Sequence, residues 1–267
     1  MSRFHSAVYA TPDRAAAIAD PAGSARWRGD VLLRPGVLAF SGSIGATGRH
    51  AHHAVQVMIS TSPVAVAGDH AEYSGTHMII PADAPHRILL GAATGIAVFL
   101  DPDSIAGRAA AHRAHGAGWS GGPQLPLPDH DAPLAATVAE LMTALAPGAA
   151  DPGADRHPAV VAALECLPAA VAAGTINTTE LAARVGISAS RLTHLFTAQV
   201  GLPLRRYVLW LRLVIARNAV ADGAGLTTAA HAAGFADSAH LTRTCREIFG
   251  LPPSALSRNL AWHNDSR

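Results

Sequence analysis

One helical unit is written twice between Thr178 and Arg258, and this repetition constrains the fold more than any other feature of the chain. Ala182 to Pro203 reads A-A-R-V-G-I-S-A-S-R-L-T-H-L-F-T-A-Q-V-G-L-P, and Ala230 to Pro252 reads A-H-A-A-G-F-A-D-S-A-H-L-T-R-T-C-R-E-I-F-G-L-P. Gly186 aligns with Gly234, Leu192 with Leu241, and Gly201-Leu-Pro with Gly250-Leu-Pro. The offset grows from 48 to 49 residues, so the second copy carries one extra residue in its turn. In each copy a short Ala-rich helix ends at a Gly suited to the left-handed C-cap, and a Ser or Asp then caps a new helix. Leu192, Leu195 and Phe196 in one copy, and Leu241, Cys245 and Phe249 in the other, recur at helical spacing and are expected to face the core.

The residues left outward are polar. They are Ser190, Arg191, Thr193 and His194 in the first copy, and His240, Thr242, Arg243 and Arg246 in the second. Side chains of this kind at the start of a second helix can hydrogen-bond base edges and phosphates in the major groove. The alternative is a helical interaction module with a solvated polar face, but two copies are few for a self-supporting array. Charge separates the two readings. Residues 175–267 hold 10 Arg against 5 acidic residues, whereas residues 1–174 hold 10 Arg against 14, and there is no Lys. A basic C-terminal part joined to an acidic remainder is the electrostatic footprint of a DNA-binding domain attached to something else.

Four motifs carry a resemblance: L-A-x-x-V-G-I-S-x-x-R-L-x-x-L-F (Leu181 to Phe196), G-L-P-L-x-x-Y (Gly201 to Tyr207), L-x-x-R-L (Leu209 to Leu213) and A-G-F-x-D-x-x-H-L-x-R (Ala233 to Arg243). Together they resemble the AraC/XylS transcription regulators. The resemblance implies two helix-turn-helix units joined by a long helix, here Pro203 to Ala221, with the recognition helices in adjacent major-groove segments. Base contact then falls to Ser190, Thr193 and His194 in the first unit and to His240 and Arg243 in the second. Arg205 and Arg206, near the start of the connecting helix, are assigned to phosphates. Leu241 and Cys245 stand where the family more often has Phe.

Residues 30 to 100 have another texture. Val31 to Leu33, Val37 to Phe40, Ala54 to Ser60, Val64 to Ala67, His77 to Ile80, Arg87 to Leu90 and Ile96 to Leu100 are short β-type runs separated by turn residues. Such spacing predicts an antiparallel barrel or sandwich. Two histidine groupings lie within it: His50-x-His52-x-x-x-Gln56, and Gly75-(x)5-Pro81-x-Asp83-x-x-His86. On a strand, His50 and His52 would share a face, with Gln56 and His86 completing a site. The spacing resembles the two cupin motifs, except that Gln56 replaces the usual Glu, Asp83 a Gly, and Leu90 an Asn. Such a cluster holds a divalent transition metal, zinc or nickel, contacts an organic effector directly, or is simply hydrogen-bonded within the barrel.

After Leu100 a helix is expected over Asp101 to His115, capped near Asp103 or Ser104, and another over Ala132 to Ala146. A Pro/Gly break at 147–155 precedes a helix at His157 to Ala173. The expected organisation is α+β with separate domains: a cupin-like sensor at 1–116, a linker with a dimerisation helix (132–146) at 117–155, and a DNA-binding domain with two helix-turn-helix motifs at 156–260. Cys166 and Cys245 read as small buried side chains in a reducing cytoplasm. No signal peptide or membrane span is expected. The sequence therefore points to a non-enzymatic cytoplasmic regulator, a homodimer, whose partners are promoter DNA, a small-molecule or metal effector and RNA polymerase. The rival is a metal-dependent cupin enzyme with an attached helical domain, which accounts for the histidines but not for the duplicated helices.

Overall fold

A computed structural model describes residues 28–120, 132–147, 156–174, 176–253 and 260–263. Much of the expected linker, with most of its Pro/Gly break, lies outside these residues. The N-terminal half supplies β1 (Arg28–Arg34), β2 (Val37–Ile44), β3 (Val55–Gly68), β4 (Glu72–Ile80), β5 (His86–Leu90) and β6 (Ala92–Leu100). β1 and β2 form a hairpin across Pro35-Gly36, where Gly36 takes φ +84°. The two runs expected at 54–60 and 64–67 belong to one long strand, β3. A register shift between Ile59 and Val64 lets it pair with β6 through its first half and with β5 through its second, while β4 follows both halves.

The hydrogen-bonded order is β4-β3-β6-β2-β1-β7, with β5 attached to β3. This path has two ends, so of the barrel or sandwich expected from the sequence, a closed barrel is not formed by the described pairings. Its last member was unforeseen: β7 (Leu260–His263) comes from beyond the helices and pairs in parallel with β1.

Burial over residues 37–40 of β2 and 55–60 of β3 is continuous rather than alternating, because both faces of the sheet are covered there. One face, with Leu32, Val57, Ile79 and Val98, packs against α1 (Ile105–Ala117) and α2 (Leu134–Leu145). The apolar side of α2, which the sequence reading gave to a dimer contact, is occupied here by Leu134, Val138, Leu141 and Leu145 packed in that layer. The other face, with Phe40, Met58, Ile80 and Phe99, shares a core with C-terminal residues including Trp210, Phe235, Leu241 and Phe249. Sheet and helices are thus not separate bodies with separate cores.

The helical half comprises α3 (Pro158–Ala172), α4 (Thr178–Arg184), α5 (Ala189–Val200), α6 (Leu204–Ala221), α7 (Leu226–Ala232) and α8 (Ser238–Phe249). The duplicated grammar is realised in both pairs. Gly186 and Gly234 both take φ +76°, and α5 and α8 both end at left-handed glycines, Gly201 and Gly250. Ser188 caps α5 by accepting from the Arg191 N–H, and Asp237 caps α8 by accepting from the His240 N–H. The pairs differ in what they pack on. α4 and α5 build a core with α3 and one side of α6 through Leu181, Leu192, Phe196 and Leu211, whereas α7 and α8 merge with the sheet.

The junction is fastened by Asp101, which has no solvent exposure. Its Oδ2 accepts from Arg206 Nε at 2.8 Å and from Trp210 Nε1 at 2.5 Å, and its Oδ1 accepts from the Asp103 N–H. Arg206 Nη2 also lies 2.6 Å from Oδ2, but off the line of a second hydrogen bond. Removing one partner of a buried pair strands the other charge away from water. Asp101→Ala should therefore cost about 3 to 5 kcal/mol of stability, read by urea unfolding of the full chain.

Candidate DNA-reading helices and histidine centre

The exposed faces of α5 and α8 carry most of the side chains expected to read DNA. Ser190, Arg191, Thr193 and His194 are exposed on α5, and Arg243 and Arg246 are exposed on α8. His240 and Thr242 are half-buried. The His240 ring lies edge-on to Phe235 at 5.2 Å, and Thr242 Oγ1 donates to the Ser238 carbonyl. Thr193 Oγ1 likewise donates within its own helix, to Ala189 and Ser190 carbonyls. The Asp237 carboxyl is held below its ordinary range, first by the His240 N–H and further by the charge of Arg243. Core positions agree with the helical spacing: Leu192, Phe196, Leu241, Cys245 and Phe249 are all buried, Leu195 partly so. Burial pushes the Cys245 thiol up to about 12, so it is a packing residue rather than a reactive one.

Arg205 is exposed, as a phosphate contact must be, but Arg206 is not. Its guanidinium is turned inward onto Asp101, with 15% of the side chain exposed. The assignment of Arg206 to DNA phosphate is therefore corrected. Nothing in its own sequence context distinguished it from Arg205, because the partner lies 105 residues away.

The second site is a cluster of histidines. Ligand atoms of His50, His52 and His86 lie within 4.8 Å of one another. Strand alternation is not the reason, since His50 and His52 both precede β3. His50 instead forms a two-way backbone bridge with His86, its N–H donating to the His86 carbonyl at 2.9 Å and its carbonyl accepting from the His86 N–H at 2.8 Å. His52 follows in the connecting loop, and its ring stacks edge-on to Phe99 at 5.2 Å. His53 turns aside to Asp83, 3.0 Å away. Asp83 itself takes φ +59°, the left-handed conformation that explains why a Gly is usual at this motif position and why a short polar side chain can replace it.

Each clustered ring has its Nδ1 2.9 Å from a carbonyl oxygen, that of Gly48 for His50, Ala54 for His52 and Ala84 for His86. A carbonyl only accepts, so Nδ1 carries the proton and each Nε2 presents a bare lone pair. The Nε2 of His86 is buried with no hydrogen-bond partner among the described residues. The Nε2 of His52 faces Gln56 Oε1 at 3.1 Å, a meeting of two acceptors. That contact is relieved if the amide turns by half a revolution, or if a cation lies between the two atoms. Three lone pairs with their opposite nitrogens fixed by carbonyls are the donor set that a borderline divalent ion requires.

Burial lowers the proton affinity of all three imidazoles, most strongly for His86, which falls from 6.5 to about 3. Hydrogen bonds to carbonyls partly oppose this, and neighbouring imidazole charge adds to it. Because the folded value is depressed, the unfolded chain takes up its proton first. Stability is therefore present above the unfolded value and is lost as pH falls from about 6.5 towards 3, at up to about 1.4 kcal/mol per pH unit from His86 alone. Urea unfolding with a chelator present should give lower stability at pH 5 than at pH 7, and His86→Gln should flatten that slope.

One match to a family model agrees with the helical geometry. The family model described as a helix-turn-helix domain matches residues 181–259. Among solved structures, a transcriptional regulator from Chromobacterium violaceum with an AraC-type DNA-binding domain is similar at 28% identity, covering 36% of this chain and 87% of that one, with a TM-score of 0.34. The C-terminal domain of AraT, a response regulator from Geobacillus stearothermophilus, is 12% identical over 43% of this chain and 94% of its own, at 0.37. ToxT from Vibrio cholerae is 7% identical over 83% of this chain and 97% of its own, at 0.41. No curated protein matches the chain. Among the described residues, no helix is long and apolar enough to cross a membrane.

Proposed function

We propose that this chain is an AraC-type regulator that reads promoter DNA with two helix-turn-helix units, α4 with α5 and α7 with α8, under control of the cupin-like sheet region. The observation that carries this reading is the pair of exposed polar faces on helices capped at equivalent positions, by Ser188 and Asp237. They lie in the C-terminal part of the chain, residues 175–267, where 10 Arg outnumber 5 acidic residues. Arg243 is the side chain best suited to a base edge. It is exposed on the second reading helix, and a guanidinium fits guanine O6 and N7 with two hydrogen bonds. Arg205, exposed on α6, suits a phosphate.

The experiment is a shift assay with DNA from beside the protein's own gene. Arg243→Ala should weaken specific binding by about 1 to 3 kcal/mol and relax one base position. Arg205→Ala should lower affinity for all sequences and flatten the salt dependence. Unchanged affinity and selectivity in Arg243→Ala would remove α8 from the DNA interface.

The controlling site is the histidine centre, taken to bind zinc or nickel through His50, His52 and His86, with Gln56 or water beside them. The support is the unpartnered lone pair on His86 and the acceptor pair formed by His52 and Gln56. Imidazole donors without a carboxylate favour such ions over magnesium or calcium. Bound there, the ion would supply a fixed positive charge that holds two chain segments together, the loop with His50 and His52 and the start of β5 with His86. Protein equilibrated with zinc and then dialysed should retain metal by elemental analysis. His86→Ala should lose it, while the exposed His112→Ala should not.

A further inference from the structure

The histidine centre lies at the foot of α8, not in the depth of an isolated sheet. The final turn of a helix leaves carbonyls without partners inside the helix. In α8 those carbonyls are met by the histidine segment. The His53 N–H donates to the Glu247 carbonyl at 2.7 Å, and the Ala54 N–H donates to the Ile248 carbonyl at 3.1 Å. The residues flanking the ligand His52 are therefore the C-terminal cap of the second reading helix. Gly250, which ends α8, closes over the same rings: a Cβ on Gly250 would stand 2.6 Å from His50 Cδ2 and 3.5 Å from His52 Cδ2.

Ring contacts continue this connection inward. His52 packs on Phe99, Phe99 on Phe249 at 6.3 Å, and Phe249 on Trp210 at 5.3 Å, whose Nε1 donates to Asp101. α5 meets the sheet side differently, its terminal Gly201 accepting from the Ile105 N–H at 3.0 Å.

We infer that the histidine centre and α8 form one regulated unit, in which a divalent ion held by His50, His52 and His86 fixes α8 through residues 52–54 and Gly250. The inference rests on the reading of α8 as a DNA reader and of the histidines as metal ligands. An ion at the three Nε2 atoms restrains the loop that carries His50 and His52, and that loop carries the two N–H groups that cap α8. The docked helix still presents Arg243 and Arg246 to solvent. Metal therefore orders the helix in a state able to bind, and by linkage DNA tightens metal as much as metal tightens DNA.

The test measures amide hydrogen exchange of the full chain with and without saturating zinc, reading residues 238–250 against residues 189–200. Zinc should slow exchange in the last turn of α8 by about fivefold or more and leave α5 unchanged. Affinity for the promoter fragment should rise by a similar factor, about fivefold or more. Gly250→Ala, which supplies no ligand, should weaken zinc binding by about tenfold or more. Gly201→Ala, placed in the same left-handed conformation at the end of α5, serves as the control for strain and should leave zinc binding unchanged. If zinc binds and α8 exchange does not respond, or if zinc weakens DNA binding, the inference fails while the metal reading stands. If zinc does not bind at all, the metal reading and the inference fall together. If α8 responds to zinc but the chain binds no DNA, the regulator reading alone is lost.

Discussion

A carboxylate that no water reaches has to find donors inside the protein, and Asp101 finds them on a helix more than a hundred residues later in the chain. Much of the architecture follows from this. Asp101 ends β6, and its backbone carbonyl accepts from the Ser104 hydroxyl, which caps α1. Its side chain meanwhile takes Arg206 and Trp210 of α6. One residue thus sets where the sheet stops, where the covering helix begins and how the long connecting helix lies. Since α6 contributes to the cores of both helix pairs, its docking on the sheet fixes both pairs relative to the β region.

The two helix pairs share a sequence pattern but not a mechanical role. α4 and α5 have their own apolar core with α3, so the first pair is supported within the helical half. α7 and α8 share a core with β-strand residues, and Leu241 and Cys245 are part of it. At those positions smaller side chains than Phe suit a helix face that must also accommodate the sheet beneath it. Similar local grammar, with equivalent capping positions and glycine turns, therefore yields one self-supported unit and one that shares its core with the sheet.

The sequence was legible wherever the determining interactions are local. Glycines at 186, 201, 234 and 250 and caps at 188 and 237 are fixed by contacts within a few residues, so the helical half and its turns could be read directly. Helix α1 was foreseen with Asp103 or Ser104 as its cap, of which Ser104 serves, and the β-type runs were found in the right places. What failed depended on distant partners. The runs on either side of residue 62 are one strand because β4 continues past both. Arg206 and Arg205 look alike in sequence, and Asp101 decides between them. The return of residues 260–263 to β1 has no local signal, since a short apolar segment becomes a strand only where an unpaired edge receives it. The histidine cluster was anticipated correctly as a convergence, yet for a mistaken reason. A backbone bridge and a loop bring the rings together, not the alternation of a strand.

The glutamine at position 56 bears on what kind of site this is. His52, Gln56 and His86 are almost fully buried, and the rings are closed over by Gly250 and the end of α8. A carboxylate in place of Gln56 would favour a cation but would leave a buried negative charge whenever the cation was absent, or would have to take up a proton. A neutral amide beside three neutral imidazoles avoids that cost, because turning the amide satisfies the lone pair of His52 without an ion. Without an ion the one buried lone pair of the centre still lacking a partner among the described residues is then that of His86, and the centre needs no compensating charge. A permanent cofactor gains nothing from such tolerance, whereas a site whose occupancy is to be sensed by an adjoining helix depends on it, because both states must preserve the fold that carries the signal.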